Sequence, residues 1–576
     1  MLTEPIVAGA IPGQIATDTL TPPAQATLDA AVAVLAAHKN EWVRLSVAER
    51  LALLAEITAD MQAVAGEWVS ACVEAKGIGD NAFARGEEWL FLAAVFRLLR
   101  LLRQSLAEIE RHGAPRLPGP LTQRDNGQAI APVFPQSWLD RLLFTGTRAE
   151  VWLEPETAPT QAEFYRRPPA AGAVVLVLGA GNVSSLGVGD VLHALFVKGQ
   201  VVLLKPNPVN AYLGPLIERG FAALIRRGFL RLAYGGAATG AYLAHHPAID
   251  TVHLTGSDKT LEAIVFGPDA AAQKTARRPL LAKPVTAELG NVTPIIVVPG
   301  PWSPADVTAQ AQKIAAWLMV NAGFNCLTPR VIIQHANWPL RAALLAEIER
   351  VLRQIPTRPA YYPGAARRHA RFVAAHPTAR QIGPTPGDHL PWTLIPNVDP
   401  RDTANIAFRS EAFCGLMAET ALPAATPAEF LGRAVNFANQ TLWGTLTATL
   451  LVHPHSQREP ALRAAIEQAL AGLRYGTVVL NQYGGYGYYL MVTPWGGFPG
   501  SDIFDVQSGI GAVNNTLMFD RPQKAVIRSP FRAWPDPFSL NFRQFDRFGR
   551  QLVRFEAGPT LASTARLGGR VLWGVI

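Results

Sequence analysis

From residue 173 onward, short apolar runs bounded by glycine alternate with stretches of helical spacing, and this alternation restricts the chain to a parallel-sheet architecture. Val174-Val175-Leu176-Val177-Leu178 and Val201-Val202-Leu203-Leu204 are apolar at every position, as strands buried on both faces must be. Helical patterns over 189–198 and 213–227 separate them from a third strand, Thr251-Val252-His253-Leu254, and the order is that of a doubly wound α/β unit. A second such layer is predicted from Thr293-Pro294-Ile295-Ile296-Val297-Val298, an amphipathic helix over 305–321, a strand over 330–334 and a helix over 338–352. Upstream, 24–75 and 82–112 carry helical spacing and read as a layer covering a sheet. The Pro- and Gly-rich stretch 115–135 reads as a loop, and 356–400 as an irregular excursion or lid.

A chain of 576 residues exceeds what one hydrophobic core usually covers, so two or three domains are expected. The most apolar helical stretch, 89–102, is interrupted by Arg97 and Arg100, and no membrane span is expected. The opening Met1-Leu2-Thr3-Glu4-Pro5 lacks a basic segment leading into an apolar one, which predicts a cytoplasmic protein. Cys72, Cys326 and Cys414 are too scattered for a disulfide framework and show no CxxC spacing, so reduced thiols and no metal are predicted. The net charge of +8 invites a nucleic-acid reading, but ten Lys or Arg against three Asp or Glu fall within 521–576. There Phe531, Trp534, Phe538, Phe542, Phe545, Phe548, Phe555 and Trp573 are interspersed with arginines. Such a tail either stacks on single-stranded nucleic acid or packs on a neighbouring subunit, its arginines lying over apolar surface. No recognised nucleic-acid fold accompanies it, so the arm is preferred and no nucleic-acid partner is expected.

The chemistry is concentrated in Gly323-Phe324-Asn325-Cys326-Leu327-Thr328 and Ala287-Glu288-Leu289-Gly290. A lone cysteine is often a small core hydrophobe. A thiol after a small-residue turn, with a carboxylate on a strand end, also supplies the nucleophile and base of covalent catalysis at a carbonyl carbon. Gly179-Ala180-Gly181-Asn182-Val183-Ser184 is a partial dinucleotide fingerprint with Ser184 in place of its third glycine, and equally a plain turn at a strand end. Lys205-Pro206, Thr255-Gly256-Ser257 and Ser410-Glu411-Ala412-Phe413 follow in order. Leu442-Trp443-Gly444-Thr445, Tyr475-Gly476-Thr477 and Pro494-Trp495-Gly496-Gly497-Phe498 close the series.

Across 174–497 this succession resembles the aldehyde dehydrogenase superfamily. The resemblance implies two doubly wound α/β domains, one cofactor-binding and one catalytic, with a small oligomerisation arm. The expected division is 1–140 with 166–287 for the N-terminal helices and dinucleotide-binding domain, 288–490 for the catalytic thiol domain, and 141–165 with 491–576 for the bridging arm and C-terminal extension. By the same resemblance Cys326 is the nucleophile, Glu288 the base and Asn182 a donor to the oxyanion. Lys205 would contact the adenine-side ribose, Gly256 and Ser257 the pyrophosphate, with Gly181 in the cofactor turn. Glu411 would hold the nicotinamide ribose while Phe413 packs beside the ring. A helix N-terminus suits the pyrophosphate because its free N–H groups and dipole favour an anion.

The implied activity is NAD- or NADP-dependent oxidation of an aldehyde to an acid through a cysteine thiohemiacetal and thioester, in a homodimer or homotetramer. Tyr483, Tyr486, Tyr488, Tyr489 and Trp495 either line a tunnel for an apolar or aromatic aldehyde or pack the core. Three departures mark a divergent member: Pro208 where an acid often binds the NAD ribose, Leu261 for a glycine, and Asn291 for the second glycine of Glu-Leu-Gly-Gly. Loss of the acid admits NADP. A CoA-dependent acylating enzyme and a non-catalytic protein with the same fold remain the alternatives.

Overall fold

The apolar run Val174–Leu178 lies inside a six-stranded sheet of order 509–510, 285–289, 251–256, 174–178, 201–205 and 230–232. The structure, a computed structural model, describes residues 20–532 and 544–575. All neighbours in this sheet are parallel except the short edge strand Gly509–Ile510. The chain moves outward from Val174–Leu178 through Val201–Lys205 to Leu230–Leu232, then returns to the other side as Thr251–Gly256. Strand order therefore reverses between Val174–Leu178 and Thr251–Gly256, and the crevice at their carboxyl ends is where open α/β sheets bind ligands.

The second sheet has eleven strands. Its parallel body runs from Pro522–Arg528 through 477–480, 447–451, 293–297, 329–335 and 416–422 to 392–398. Antiparallel strands Thr122–Gln123, Ala129–Phe134 and Arg148–Leu153 extend one side, and Arg380–Ile382 extends the other. The second α/β layer is thus continuous with a meander from the N-terminal half.

The region 356–400 is not an irregular lid. It holds the helix Ala365–Ala375 and the strands Arg380–Ile382 and Trp392–Val398. Its prolines fall between short elements except Pro359, which ends the two-residue strand Arg358–Pro359, and Pro396, within the register irregularity from Ile395 to Val398, where a missing N–H is tolerated. The predicted loop 115–135 likewise contains the strand Ala129–Phe134. The continuous helical reading of 24–75 resolves into Pro22–Arg44 and Val47–Ala75, the second begun by a Ser46–Glu49 capping box.

In the C-terminal segment, Phe545–Ala557 is a helix that packs on the chain's own Ala82–His112 helix. Gly86 and Gly549 make the crossing close: a Cβ on Gly86 would sit 2.6 Å from Phe545 backbone, and one on Gly549 2.5 Å from Trp89 Cβ. Phe545, Phe548 and Phe555 are buried there, and Phe531 is buried beside Trp302. Trp534, Phe538, Phe542 and the Trp573 side chain lie outside the described residues. Among the described residues, no helix is long and apolar enough to cross a membrane, and no group of three or more His, Cys, Asp or Glu is placed to hold a metal ion.

Candidate active site

The helix Pro304–Met319 ends in a turn of unusual backbone: Asn321, Ala322 and Gly323 all take left-handed φ, at 53°, 54° and 79°. Such a conformation costs of order 1–3 kcal/mol for a residue with a Cβ and persists where its surroundings over-determine it. Arg330, fully buried, supplies part of that determination by donating to the Cys414 carbonyl at 2.6 Å and the Gly323 carbonyl at 2.8 Å. Gly323 is itself required, because a Cβ there would lie 2.5 Å from the Cys414 backbone. The turn presents Cys326 against Leu446, Trp495, Val513 and Tyr488.

Glu288 reaches the same point from the second sheet-edge partner, Val285–Leu289 of the six-stranded sheet. Its Oε1 accepts from Trp495 Nε1 at 2.9 Å, and its carboxyl lies close enough to the Cys326 thiol for each to influence the other's ionisation. Burial, reinforced by the negative charge of Asp190, pushes the Glu288 carboxyl up to about 8. Burial and then the Glu288 charge push the Cys326 thiol well above its ordinary value, while the Cys326 backbone N–H opposes them. Near neutral pH the pair is therefore a protonated carboxyl beside a protonated thiol, and removing one proton gives either a base or a thiolate.

Asn182 is buried in the turn after Val174–Leu178 and its Nδ2 donates to the Phe324 carbonyl at 2.9 Å. One amide hydrogen is so engaged, and a second remains on the same nitrogen. A buried network that sequence spacing does not reveal holds this position. Asn321 Nδ2 and Tyr361 Oη both donate to the Asn182 backbone carbonyl, at 2.8 and 2.7 Å. Lys76 from the N-terminal helices donates to Asn321 Oδ1 at 3.1 Å and pairs with Glu88 at 2.6 Å, while Arg358 pairs with Glu87 at 2.7 Å. Apart from Lys76–Glu88, 12 positions apart, these contacts join residues 139 to 271 positions apart, and only the presence of charges in otherwise apolar helices signals them.

On the cofactor side, Gly181, Lys205, Gly256 and Ser257 gather at the carboxyl ends of Val174–Leu178, Val201–Lys205 and Thr251–Gly256. Ser257 caps the helix Asp258–Phe266 by accepting from the Thr260 N–H, leaving that helix N-terminus at the strand-order reversal. Lys205 packs its methylenes near Gly240, where a Cβ would come within 3.8 Å. Of the nearby basic residues, Lys259 and Lys274 are paired with Glu262, and Arg277 lies over the Phe504 ring at 3.9 Å.

Glu411 approaches from the other layer. A Cβ on Gly290 would lie 2.1 Å from Glu411 Oε2, so a side chain there would push the Glu411 carboxyl out of its position. Among the described residues Glu411 Oε1 has no hydrogen-bond partner, and it stands 4.0 Å from Arg330. Burial raises this carboxyl also to about 8, against the opposing charges of Arg330 and Arg368. Phe413 packs at 4.9 Å from Tyr362 and 6.2 Å from Phe324, at the back of the cysteine turn.

A thiol and a buried carboxyl thus stand beside the carboxyl-end crevice of a doubly wound sheet. Residues 137–372 match the family model described as the aldehyde dehydrogenase family. An N-succinylglutamate 5-semialdehyde dehydrogenase of Sphingopyxis alaskensis is 31% identical over 181 residues, covering 31% of this chain and 34% of that protein. A similarly named protein of Ectopseudomonas mendocina is 32% identical over 189 residues, covering 32% and 35%. The matched segment thus spans about a third of the length of these curated relatives.

Two solved structures share the fold over nearly all of the described chain. An NADP-dependent glyceraldehyde-3-phosphate dehydrogenase from Bacillus halodurans, complexed with NADP, has a TM-score of 0.59 at 18% identity, covering 87% of this chain and 91% of that one. A Mycobacterium tuberculosis aldehyde dehydrogenase complexed with NAD+ has a TM-score of 0.59 at 19% identity, covering 87% and 90%. Residues 137–372 are thus similar in sequence to the aldehyde dehydrogenase family, and the fold is shared with aldehyde dehydrogenases of known structure.

Proposed function

We propose that the protein oxidises an aldehyde to a carboxylic acid with NAD or NADP as hydride acceptor. The observation that carries this reading is the buried Glu288 carboxyl, held by the Trp495 indole N–H, at the same Trp495 against which Cys326 packs. The residues present suit a dinucleotide. Glu411 has a buried oxygen without a partner among the described residues, as a carboxylate meant for ribose hydroxyls would. The Asp258–Phe266 helix offers its N-terminus to a pyrophosphate, with Gly256 and Ser257 at the approach and Gly181 opposite. Lys205 would serve the adenine-side ribose and Phe413 the nicotinamide side. With Pro208 in place of an acid, a 2′-phosphate meets no carboxylate at that position, so NADP is accepted as well as NAD.

In this mechanism the Cys326 thiol releases its proton to solvent and attacks the aldehyde carbon as thiolate. The Cys326 backbone N–H and the second Asn182 amide hydrogen receive the oxyanion. NAD(P), when bound, supplies the hydride acceptor that converts the thiohemiacetal to a thioester. Glu288 then takes a proton from water, and the resulting hydroxide cleaves the thioester to release the acid. Retention of a carboxyl close to the thiol favours water over CoA as the acyl acceptor. Tyr488, Trp495, Leu446 and Val513 beside Cys326 suit an apolar or aromatic substrate. We further propose a cytoplasmic homodimer or homotetramer, a reading supported by the exposed strand Thr122–Gln123 at the open edge of the larger sheet. In this reading the N-terminal helices and smaller sheet form the cofactor domain and residues 288–490 the catalytic domain.

The test is NAD(P)H formation, with NAD and NADP separately, over aliphatic and aromatic aldehydes with and without CoA. Turnover without CoA supports the hydrolytic dehydrogenase. Turnover only with CoA moves the assignment to an acylating enzyme, and an inert Cys326 with no turnover moves it to a non-catalytic member.

A further inference from the structure

Thr251–Gly256 and Val285–Leu289 lie side by side in the smaller sheet, yet both alternate polar with apolar residues. Their register pairs His253 with Thr286 and Thr255 with Glu288. Side chains two apart on a strand share a face, so these four form one polar row ending at the catalytic carboxyl. Asp190, on the helix Leu186–Phe196, meets that row and is itself buried. Thr255 Oγ1 donates to Asp190 Oδ2 at 2.7 Å. His253 Nε2 lies 3.3 Å from Thr255 Oγ1 and 3.6 Å from Asp190 Oδ1. At the far end His253 Nδ1 is 2.9 Å from Thr286 Oγ1, and Thr286 is exposed.

A buried carboxylate with a hydroxyl and an imidazole for company is costly to keep for packing alone. Asp190 is also close enough to Glu288 for its charge to oppose ionisation there, and Tyr488 stands near Asp190, Glu288 and Cys326 together. The groups facing Asp190 are thus His253 and Thr255 from one strand, Glu288 from the next, and Tyr488 from the aromatic loop. His193, on its own helix, is held down to about 3 by burial and by Lys198, and stays neutral.

We propose that Asp190 and His253 are relay residues that carry protons between Glu288 and solvent. The proposal rests on the hydrolytic reading above. Each turnover leaves on Glu288 the proton taken from the attacking water. That proton passes to the Asp190 carboxylate, with the Thr255 hydroxyl able to accept it and hand on its own. It moves next to the His253 imidazole and then to bulk water at the Thr286 edge. No electrons move, and Glu288 returns to the carboxylate that the next cycle needs.

The probe is p-nitrophenyl acetate, which acylates a nucleophilic thiol without cofactor or aldehyde. Its nitrophenolate burst reports acylation of Cys326, and its steady rate reports hydrolysis of the acetyl-enzyme. Asp190→Asn, which keeps an acceptor for Thr255, and His253→Ala are expected to retain the burst and slow the steady rate about 10-fold, within the span of general acid–base effects. Both should show a larger solvent deuterium effect on the steady rate, with added imidazole restoring His253→Ala and Asp190→Glu restoring more than Asp190→Asn.

Unchanged steady rates in both variants overturn the relay. So does loss of the burst together with the steady rate in variants that still unfold cooperatively, since that result makes the pair structural. If Asp190→Asn does not fold, His253→Ala with imidazole decides alone. A wild-type protein without any burst is a different failure: it overturns the thiol mechanism itself, and the relay with it.

Discussion

Two clusters of buried charge, one where the C-terminal helix docks on Ala82–His112 and one around Cys326, are built on opposite rules. Where the C-terminal helix docks, Glu556 meets Arg97 at 3.0 Å and Arg100 at 2.7 Å, and Arg97 also donates to the Leu490 carbonyl and faces Asp140 at 3.6 Å. Every carboxylate there has a guanidinium. Around Cys326, Glu288 and Glu411 face one another's charge and a thiol, and Glu288 has an indole N–H rather than a cation. Burial is similar, but the first cluster satisfies its ions and the second holds them partly neutral. The contrast teaches that a buried charge paired on all sides marks a structural joint, whereas buried acids left short of cations mark proton chemistry.

The sharpest way to break this comparison is at the thiol. Cys326→Ala is expected to lower both aldehyde oxidation and the p-nitrophenyl acetate burst by more than about 10³-fold, as loss of a covalent nucleophile should. Glu288→Gln follows, with acylation retained and the steady rate of hydrolysis down by about 10²–10⁴-fold. In the wild type, that steady rate should climb with pH to a plateau with a midpoint near the Glu288 value of about 8, because only the deprotonated carboxyl is a base. A flat profile in a turnover-limited assay, or full turnover by Glu288→Gln, removes Glu288 from the role.

How much of this was legible before the fold is instructive residue by residue. Val174–Leu178 and Val201–Lys205 were readable because strands buried on both faces need apolar residues throughout. Cys326 and Glu288 were readable as a pair of chemical types, and the structure puts them close together. The strands within 356–400 were hidden because proline frequency reports the gaps between short elements as strongly as it reports loops. Lys76, Glu87, Glu88 and Arg358 were invisible as a network because ion pairing across the fold leaves no local period. His253 left a faint trace, a polar–apolar alternation in a strand that should be uniformly apolar, and Asp190 only a single charge in an apolar helix. The basic character of the tail was plain, but its sign could not tell a neighbour's surface from Glu556 docked on the chain's own Arg97.

At the paired cluster the expected effect is on folding alone. Glu556→Ala leaves Arg97 buried without its carboxylate, and the loss should be about 3–5 kcal/mol by denaturant unfolding, with little change in the nitrophenolate burst. An equal loss of burst would show that the two clusters are coupled, and the division drawn above would fail.

The smallest effect tests whether Glu411 is strained by design. Its folded value of about 8 lies above the ordinary 4.5, so between those values the folded protein holds a proton that the unfolded chain has released. Stability from this group is therefore intact below about pH 4.5 and declines as pH rises through about 8, the reverse of a salt-bridged carboxylate. Glu411→Gln should flatten that decline by on the order of 2 kcal/mol, measured as the difference in unfolding free energy between mildly acidic and alkaline buffer. Glu288 contributes a slope of the same sign, so the variant removes only part of it. Saturating NAD should flatten the wild-type slope as well, because ribose hydroxyls donating to Glu411 stabilise the carboxylate, and should leave the slope of Glu411→Gln unchanged. A wild-type slope indifferent to NAD would detach Glu411 from the ribose and leave its partnerless oxygen as a cost of the fold.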